Sequence, residues 1–353
     1  MRSSLARRSF FFLIALVVFL PPVLFSCRGN PAAQEQAVVE VQEPQEIIYE
    51  AEEHIVQTPQ ESPSSQAPGQ IQRPSSSLSG LSRIQGRVNS SEINPINYDN
   101  PDPEILKQMG VEQYLVSYFT GEQFFRSADY DKALGEYTLS ISSNRDFIES
   151  FVSRGNTYLK KQDYRRAIED FTRAIRLNSA RAELYNYRGY ARIELVSSGN
   201  RGELPLAIED FSRAIALNAN YVDALINRSH ALFQTGGYDR VIEDCTRVIA
   251  LEPQNAAIWN RRGSAWYAKE EDDRAISDFT EAIRLNPNYA VAFYNRANAL
   301  LNKREYDKAL VDINTSLRIN ASFAPAYTTR GNIFHIQGNA QSAAADFEHA
   351  RRL

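Results

Sequence analysis

The sequence predicts an all-α protein built of stacked helical hairpins, and two observations carry this prediction. The first is a phrase that returns along the chain: RAIEDFTRAIRLN, which begins at Arg166, reappears as LAIEDFSRAIALN from Leu206 and as DRAISDFTEAIRLN from Asp273. Aligned copies lie 34 residues apart at every step but one, where the step is 40. A fixed period of this length is typical of small units that each stack on their neighbours.

The second observation is the spacing of apolar residues inside one unit, which indicates two helices. In residues 256–289, Trp259 and Gly263 lie about one helical turn apart on the same face. After the polar stretch KEEDD, Ala275 and Phe279 repeat this spacing. Each unit is therefore predicted to be a hairpin of a first and a second helix joined by a short polar turn.

This arrangement resembles the tetratricopeptide repeat, in which a large residue is followed by a glycine, an aromatic residue and then the series Ala, Phe, Ala and Pro. The resemblance implies a right-handed superhelical α-solenoid over residues 111–353, in which the first helices line a concave wall. It covers seven units, at residues 114–147, 148–181, 182–221, 222–255, 256–289, 290–323 and 324–353.

The third unit carries six extra residues between its helices, in the stretch from Leu195 to Pro205. Insertions in surface loops cost little stability, so this segment is predicted to protrude. A partner contact and a neutral insertion are both compatible with its composition.

The N-terminus has the composition of a signal peptide. Three arginines precede the apolar run from Phe10 to Leu20, and two prolines follow it. The run is too short to cross a hydrocarbon layer about 30 Å thick as a helix, which favours a signal peptide over residues 1–26. The protein is therefore expected to be exported.

The end of that segment, LFSC, resembles the lipobox of bacterial lipoproteins, with an aliphatic residue three positions before the cysteine and a small residue next to it. The resemblance implies that Cys27 becomes the lipidated first residue of the mature protein. Two or three acyl chains would hold the protein on a membrane almost permanently, because each buried methylene contributes about 0.8 kcal/mol. The alternative is an ordinary secretory signal that is cleaved near an incidental cysteine.

Residues 27–110 are rich in Pro, Gln, Ser and Glu and are predicted to be a disordered tether. Such a segment cannot bury enough apolar surface to offset the entropy lost on ordering. Acidic residues outnumber basic residues in it, whereas the repeats are close to neutral. Nucleic acid binding needs clustered positive charge, so no nucleic acid partner is expected. Tether segments such as EIIYEAEEHIV are either short partner-binding segments or plain spacer.

Arginines and aspartates recur in register in six of the seven units, with one arginine on each first helix and one aspartate on each second helix. The first unit has Thr120 and Glu136 at these positions. One interpretation is a row of arginines that binds a partner. We favour the other, a ladder of paired charges that fixes how hairpins stack, because partly buried Arg–carboxylate pairs are geometrically specific. The ladder residues are Arg154, Arg188, Arg228, Arg262, Arg296, Arg330, Asp170, Asp210, Asp244, Asp278, Asp312 and Asp346.

The repeats offer no recognisable place for catalysis or for a metal. The four histidines lie far apart in unlike registers, and Cys245 fills a position that is Phe in most units, which predicts a buried inert thiol. The sequence contains no phosphate-binding glycine loop, nucleophile elbow or zinc-type ligand spacing. We therefore expect no enzyme activity, no cofactor and no metal.

Binding of a partner is the function that the resemblance implies, through exposed positions on the first helices. Asparagine donates to and accepts from a peptide backbone at once, and tyrosine adds contact area with little loss of entropy. Asparagines on a helix are also ordinary surface residues, and this alternative stays open. The candidate groove residues are Tyr118, Glu122, Asn156, Asn186, Tyr190, His230, Asn260, Tyr294, Asn295, Asn298 and Asn332.

These observations predict a non-enzymatic scaffold, lipid-anchored to a bacterial envelope membrane and facing the periplasm or the cell surface. It would bind a protein or peptide partner in the concave groove of the repeats, as similar bacterial tetratricopeptide lipoproteins do. A second hypothesis is a solute-binding accessory of an envelope transporter, in which the superhelix encloses a small molecule.

Overall fold

The computed structural model describes residues 102–108 and 110–353, and every regular element in that part of the chain is an α-helix. The predicted all-α class is confirmed there. The predicted signal peptide at 1–26, the lipidation at Cys27 and the tether up to residue 101 lie outside the described residues. The helices are α1 (Pro103–Gln108), α2 (Gln113–Arg126), α3 (Tyr130–Ser143), α4 (Ile148–Lys160), α5 (Tyr164–Leu177), α6 (Ala182–Ser197), α7 (Glu203–Leu217), α8 (Val222–Gln234), α9 (Tyr238–Leu251), α10 (Ala256–Ala268), α11 (Asp272–Leu285), α12 (Ala290–Asn302), α13 (Tyr306–Ile319), α14 (Ala324–Ile336) and α15 (Ala340–Arg352).

The helices from α2 onward form seven consecutive hairpins. Each pairs a first helix with a second helix, from α2 with α3 to α14 with α15. Each helix packs most closely on the helix before it and the helix after it, and several first helices also touch the next first helix. This nearest-neighbour packing is the α-solenoid that the repeat pattern predicts.

The turn inside each hairpin contains one residue in the left-handed region of backbone space. In the second unit this residue is Gln162, whose N–H donates to the carbonyl of Leu159, while the next N–H, of Asp163, donates to the carbonyl of Tyr158. These bonds satisfy carbonyls that the end of a helix leaves free. Glycine adopts this conformation without strain and occurs at the same turn position in three units, as Gly199, Gly236 and Gly338.

Within a hairpin, close contact between the two helices depends on a glycine that faces an aromatic ring. A Cβ atom built on Gly155 would lie 2.8 Å from Cε1 of Phe171, closer than such atoms approach. The same contact joins Gly121 with Tyr137, Gly189 with Phe211, Gly263 with Phe279, and Gly331 with Phe347. The two remaining units have Ser229 with Cys245 and Ala297 with Ile313. A ring therefore occurs only opposite glycine, which shows that the two positions are matched in size.

Between hairpins, apolar residues join the cores of neighbouring units. One buried cluster runs from Phe151 in the second unit to Ala265 in the fifth. Another runs from Tyr294 in the sixth unit to Ile333 in the seventh. Because these clusters extend across unit boundaries, each hairpin depends on its neighbours for its core.

A short helix precedes the first hairpin, where the sequence predicts tether. The predicted tether extends to residue 110, but α1 is helical and its Leu106 is fully buried. Leu106 packs on Val116 of α2, with Val111 and Phe119 beside it. The tether prediction is therefore wrong for α1, because the first hairpin has no preceding unit and α1 covers the apolar face of α2 that would otherwise be exposed.

The insertion in the third unit mostly lengthens its helices. Helix α6 has 16 residues and α7 has 15, against 13 and 14 for α4 and α5 of the second unit. Four of the six extra residues thus lie in helices, and the turn at residues 198–202 is short. The prediction that all six extra residues lie in the loop between the helices is wrong for four of them, because those residues continue the helical pattern on both sides.

Candidate functional site

Each arginine of the ladder binds the aspartate of its own hairpin through two hydrogen bonds. Nε donates to one carboxylate oxygen and Nη2 to the other, at 2.6–3.0 Å in all six pairs. The aspartates are buried and the arginines half-buried. In the fifth unit, the hydrogen bonds that Arg262 donates to Asp278 raise the pKa of the arginine above its ordinary value. The arginines are thus engaged within the repeats, in the strong forked geometry of an Arg–carboxylate pair.

The third donor of each arginine reaches the preceding hairpin. Nη1 of Arg262 donates to Oγ1 of Thr246 in α9 at 3.0 Å, and the other five arginines make the equivalent bond at 2.8–3.1 Å. These acceptors are not among the residues predicted to form the ladder. They follow the aromatic position of the second helix and are Thr138, Thr172, Ser212, Thr246, Thr280 and Asn314. One guanidinium therefore links two hairpins. The recurrence of a hydroxyl or amide side chain at this register is the sequence feature that could have predicted the link.

The third unit adds a second arginine to its pair. Arg192 stands where four of the other units have an aromatic residue, and its Nη1 donates to Oδ2 of Asp210 at 2.7 Å. Nη1 also donates to the carbonyl of Leu206 at 3.0 Å, and Nε lies 3.5 Å from Glu203 at the start of α7. Arg192 therefore joins the lengthened α7 to α6, at a position that an aromatic ring fills in four of the other units.

Five of the eleven candidate groove residues are buried, so the prediction that they are exposed is wrong for them. Nδ2 of Asn227 in α8 donates to Oδ1 of Asn186 in α6, and Nδ2 of Asn295 in α12 donates to Oδ1 of Asn260 in α10, both at 3.1 Å. The sequence shows which face of a helix carries an asparagine but not how closely the next first helix covers it. The buried five are Asn186, Tyr190, Asn260, Tyr294 and Asn295.

These amide bonds belong to a row of contacts that joins successive first helices. Oγ of Ser153 in α4 donates to Oε1 of Glu122 in α2 at 2.7 Å. Nη1 of the buried Arg261 in α10 donates to the carbonyl of Ile226 and to Oγ of Ser229 in α8, at 3.0 and 3.1 Å. Buried polar groups need such partners, and here the partners hold neighbouring first helices together.

A row of polar residues directly follows the small contact residue of all seven first helices. We call it the polar row: Glu122, Asn156, Tyr190, His230, Ser264, Asn298 and Asn332. Five members are half-buried, whereas Tyr190 and Ser264 are buried. Ser264 was not among the candidates because serine carries no binding signal by itself and only its register places it here. The packing of the hairpins therefore leaves a partly open polar strip along the first helices.

The polar row is tied to the core at its N-terminal end. Oε1 of Glu122 accepts a hydrogen bond from the buried hydroxyl of Tyr137 at 2.7 Å, and burial together with Glu122 raises the pKa of that hydroxyl well above its usual range. The half-buried candidate Tyr118 lies beside the Tyr137 ring. Oδ1 of Asn156 is buried and accepts no hydrogen bond from any described residue. The row thus combines one carboxylate oxygen that accepts two hydrogen bonds with one buried amide oxygen that accepts none from the described residues.

The described part of the chain holds no group of three or more His, Cys, Asp or Glu side chains arranged for a metal ion. Cys245 is fully buried at the contact between α8 and α9. Among helices α1 to α15, none is both long enough and apolar enough to cross a membrane.

The chain matches sequence profiles described as the tetratricopeptide repeat over residues 148–180, 256–289 and 279–311. The first segment lies in the second unit and the second covers the fifth unit. The third begins in α11 of the fifth unit and ends in α13 of the sixth. No curated protein matches the chain by sequence.

Solved structures with similar backbones are also repeat proteins of this kind. The C-terminal part of a TPR repeat-containing protein from Cytophaga hutchinsonii superposes with a TM-score of 0.55 at 16% identity, over 67% of this chain and 95% of its own. A tetratricopeptide repeat protein from Parabacteroides merdae gives 0.53 at 17% identity, over 68% and 93%. At this identity the similarity extends to the fold alone.

Proposed function

Because the chain is a tetratricopeptide repeat protein, we propose that it is a non-enzymatic scaffold that binds a protein or peptide partner along its first helices. The observation that carries this proposal is the polar row, which places one polar residue at the same register of every first helix. Half-buried amides in such a row present donors and acceptors at the spacing of the repeats, which suits an extended peptide or a partner helix. The comparisons give the solute-binding alternative no support.

Site-specific photocrosslinking tests the binding face. A benzophenone amino acid at Asn332, in the polar row of α14, is expected to crosslink one partner protein in cells that express the full chain. The matched control is the same amino acid at Val311, which is 65% exposed on the second helix α13. Capture from Val311 with none from Asn332 would place the partner on the second helices and contradict the proposal.

We also propose that the repeats are held at a bacterial envelope membrane by lipid on Cys27, facing the periplasm or the cell surface. The proposal rests on the apolar run and the LFSC sequence at its end. A tether of this length has a root-mean-square end-to-end distance of roughly 50 Å if unfolded, so the repeats could meet partners away from the lipid surface.

Replacement of Cys27 by serine tests this anchor. Without a thiol to acylate, the variant is expected to move from the membrane fraction to the soluble fraction after cell disruption, whereas a Cys245→Ser variant stays with membranes. Membrane association of the Cys27→Ser protein would show that no lipid on Cys27 holds it.

A further inference from the structure

Three first helices carry an acidic residue at the second position of their first turn: Glu149 in α4, Glu183 in α6 and Asp223 in α8. Arg181, which directly precedes α6, neutralises the first two. Its Nη1 donates to Glu149 at 2.8 Å and its Nε to Glu183 at 2.6 Å. The equivalent residue before α8 is Tyr221, so the third acid has no matching arginine.

Asp223 is a half-buried carboxylate without a counterion among the described residues. It makes no hydrogen bond and no ion pair there. Burial and the neighbouring Glu252 raise its pKa above the ordinary value. An acid in the first turn also interacts favourably with the helix dipole, but Glu149 has that benefit equally and still binds an arginine. Among these three acids, only Asp223 is partly dehydrated without a basic residue to neutralise its charge.

A second unsatisfied acceptor lies one turn further along α8. Asn227 is 1% exposed and its Oδ1 accepts no hydrogen bond from the described residues. Its Nδ2 donates to Asn186, and Nδ2 of Asn186 in turn donates to the Tyr221 hydroxyl at 3.4 Å. The amide orientation is thereby fixed, with the oxygen directed away from Asn186. Side chains on a helix lean toward its N-terminus, so Asn227 leans over the turn that carries Asp223.

The acceptor groups of Asp223 and Asn227 indicate which kind of ligand would bind at the start of α8. Two acceptors within one helical turn, one of them charged, call for a cation with several N–H donors. A guanidinium presents five donors in one plane and tolerates partial burial better than an ammonium group, which binds water more strongly. Tyr187 and Tyr221 lie within electrostatic range of Asp223. A guanidinium also stacks favourably on an aromatic ring within its reach.

We propose that the first turn of α8 is the subsite for an arginine side chain of the bound partner, with Asp223 and Asn227 as the acceptors. This inference rests on the proposed function and adds a requirement for the partner: an arginine placed to reach the fourth unit. The neighbouring position in the third unit does not serve, because Arg181 already occupies Glu183.

Selection of a displayed library of random peptides on the full-length chain provides the probe. Selected peptides are expected to be enriched in arginine at one position. Asp223→Asn should weaken such a peptide by at least about tenfold, because it removes one member of a partly buried charge pair. The same peptide with citrulline for arginine should bind the wild type and Asp223→Asn alike. Glu149→Gln is the matched control, since it removes an acid from the same helix position, and it should leave affinity within about twofold.

Other results separate the two proposals. Peptides without arginine enrichment, with lysine in its place, or with equal affinity for the wild type and Asp223→Asn would overturn the arginine subsite and leave the scaffold function standing. Failure to select any peptide would count against both.

Discussion

Replacement of Asp278 by alanine is expected to lower the free energy of unfolding of the repeats by about 3–5 kcal/mol. Asp278 accepts two hydrogen bonds from Arg262, at 2.7 and 2.8 Å, and is buried. Its removal leaves the guanidinium half-buried with only Thr246 as an acceptor. Because Thr246 belongs to the preceding hairpin, the loss should affect the stacking of two units as well as one hairpin.

Urea denaturation followed by circular dichroism measures this effect, and Glu271→Ala is the control. Glu271 belongs to the same hairpin but forms its ion pairs with the surface residues Arg274 and Lys269. Exposed pairs of this kind contribute about 0–1 kcal/mol, so the control should shift the transition only slightly. Equal destabilisation by the two variants would mean that the ladder is no more than ordinary surface charge.

The arginines and aspartates show which contacts the register of a repeated sequence can predict. Their recurrence predicts pairing, because two opposite charges at constant positions of a repeated hairpin meet in every copy. The recurrence does not tell which groups complete the coordination. The bond from Arg154 to Thr138 crosses from one unit to the preceding one, so it becomes visible only when the stacking of hairpins is known.

The groove residues show the opposite case. Asn260 and Asn298 were both predicted to line the groove as asparagines on the first helix of a repeat, although Asn260 lies three positions before the small contact residue and Asn298 directly follows it. The structure buries Asn260 under Asn295 of the next first helix and leaves Asn298 half-buried. Periodicity gives the face of a helix, whereas burial depends on the distance and rotation of the next helix, which no single repeat encodes. Helix α1 was missed for a related reason, because six residues are too few to show periodicity.

The matched sizes of the glycine and ring positions lead to a second strong prediction. Gly263→Ala alone is expected to destabilise the repeats by about 1–3 kcal/mol, because the new Cβ would lie 2.7 Å from Cε1 of Phe279. Overpacking at this contact forces α10 and α11 apart. Phe279→Ile alone should also destabilise, since it removes ring atoms from a buried site and leaves a cavity.

The two substitutions together should restore much of what each removes. The double variant reproduces the sixth unit, where Ala297 faces Ile313 and both are fully buried. We therefore expect the pair to be more stable than the sum of the single changes by about 0.5–3 kcal/mol, as measured by a double-mutant cycle in urea. Gly135→Ala is the control, because a Cβ there meets nothing within 4 Å. Simple additivity of Gly263→Ala and Phe279→Ile would show that the size match between the units does not arise from direct contact. Direct packing would then no longer explain why five hairpins have an aromatic ring opposite glycine and two have smaller side chains opposite serine or alanine.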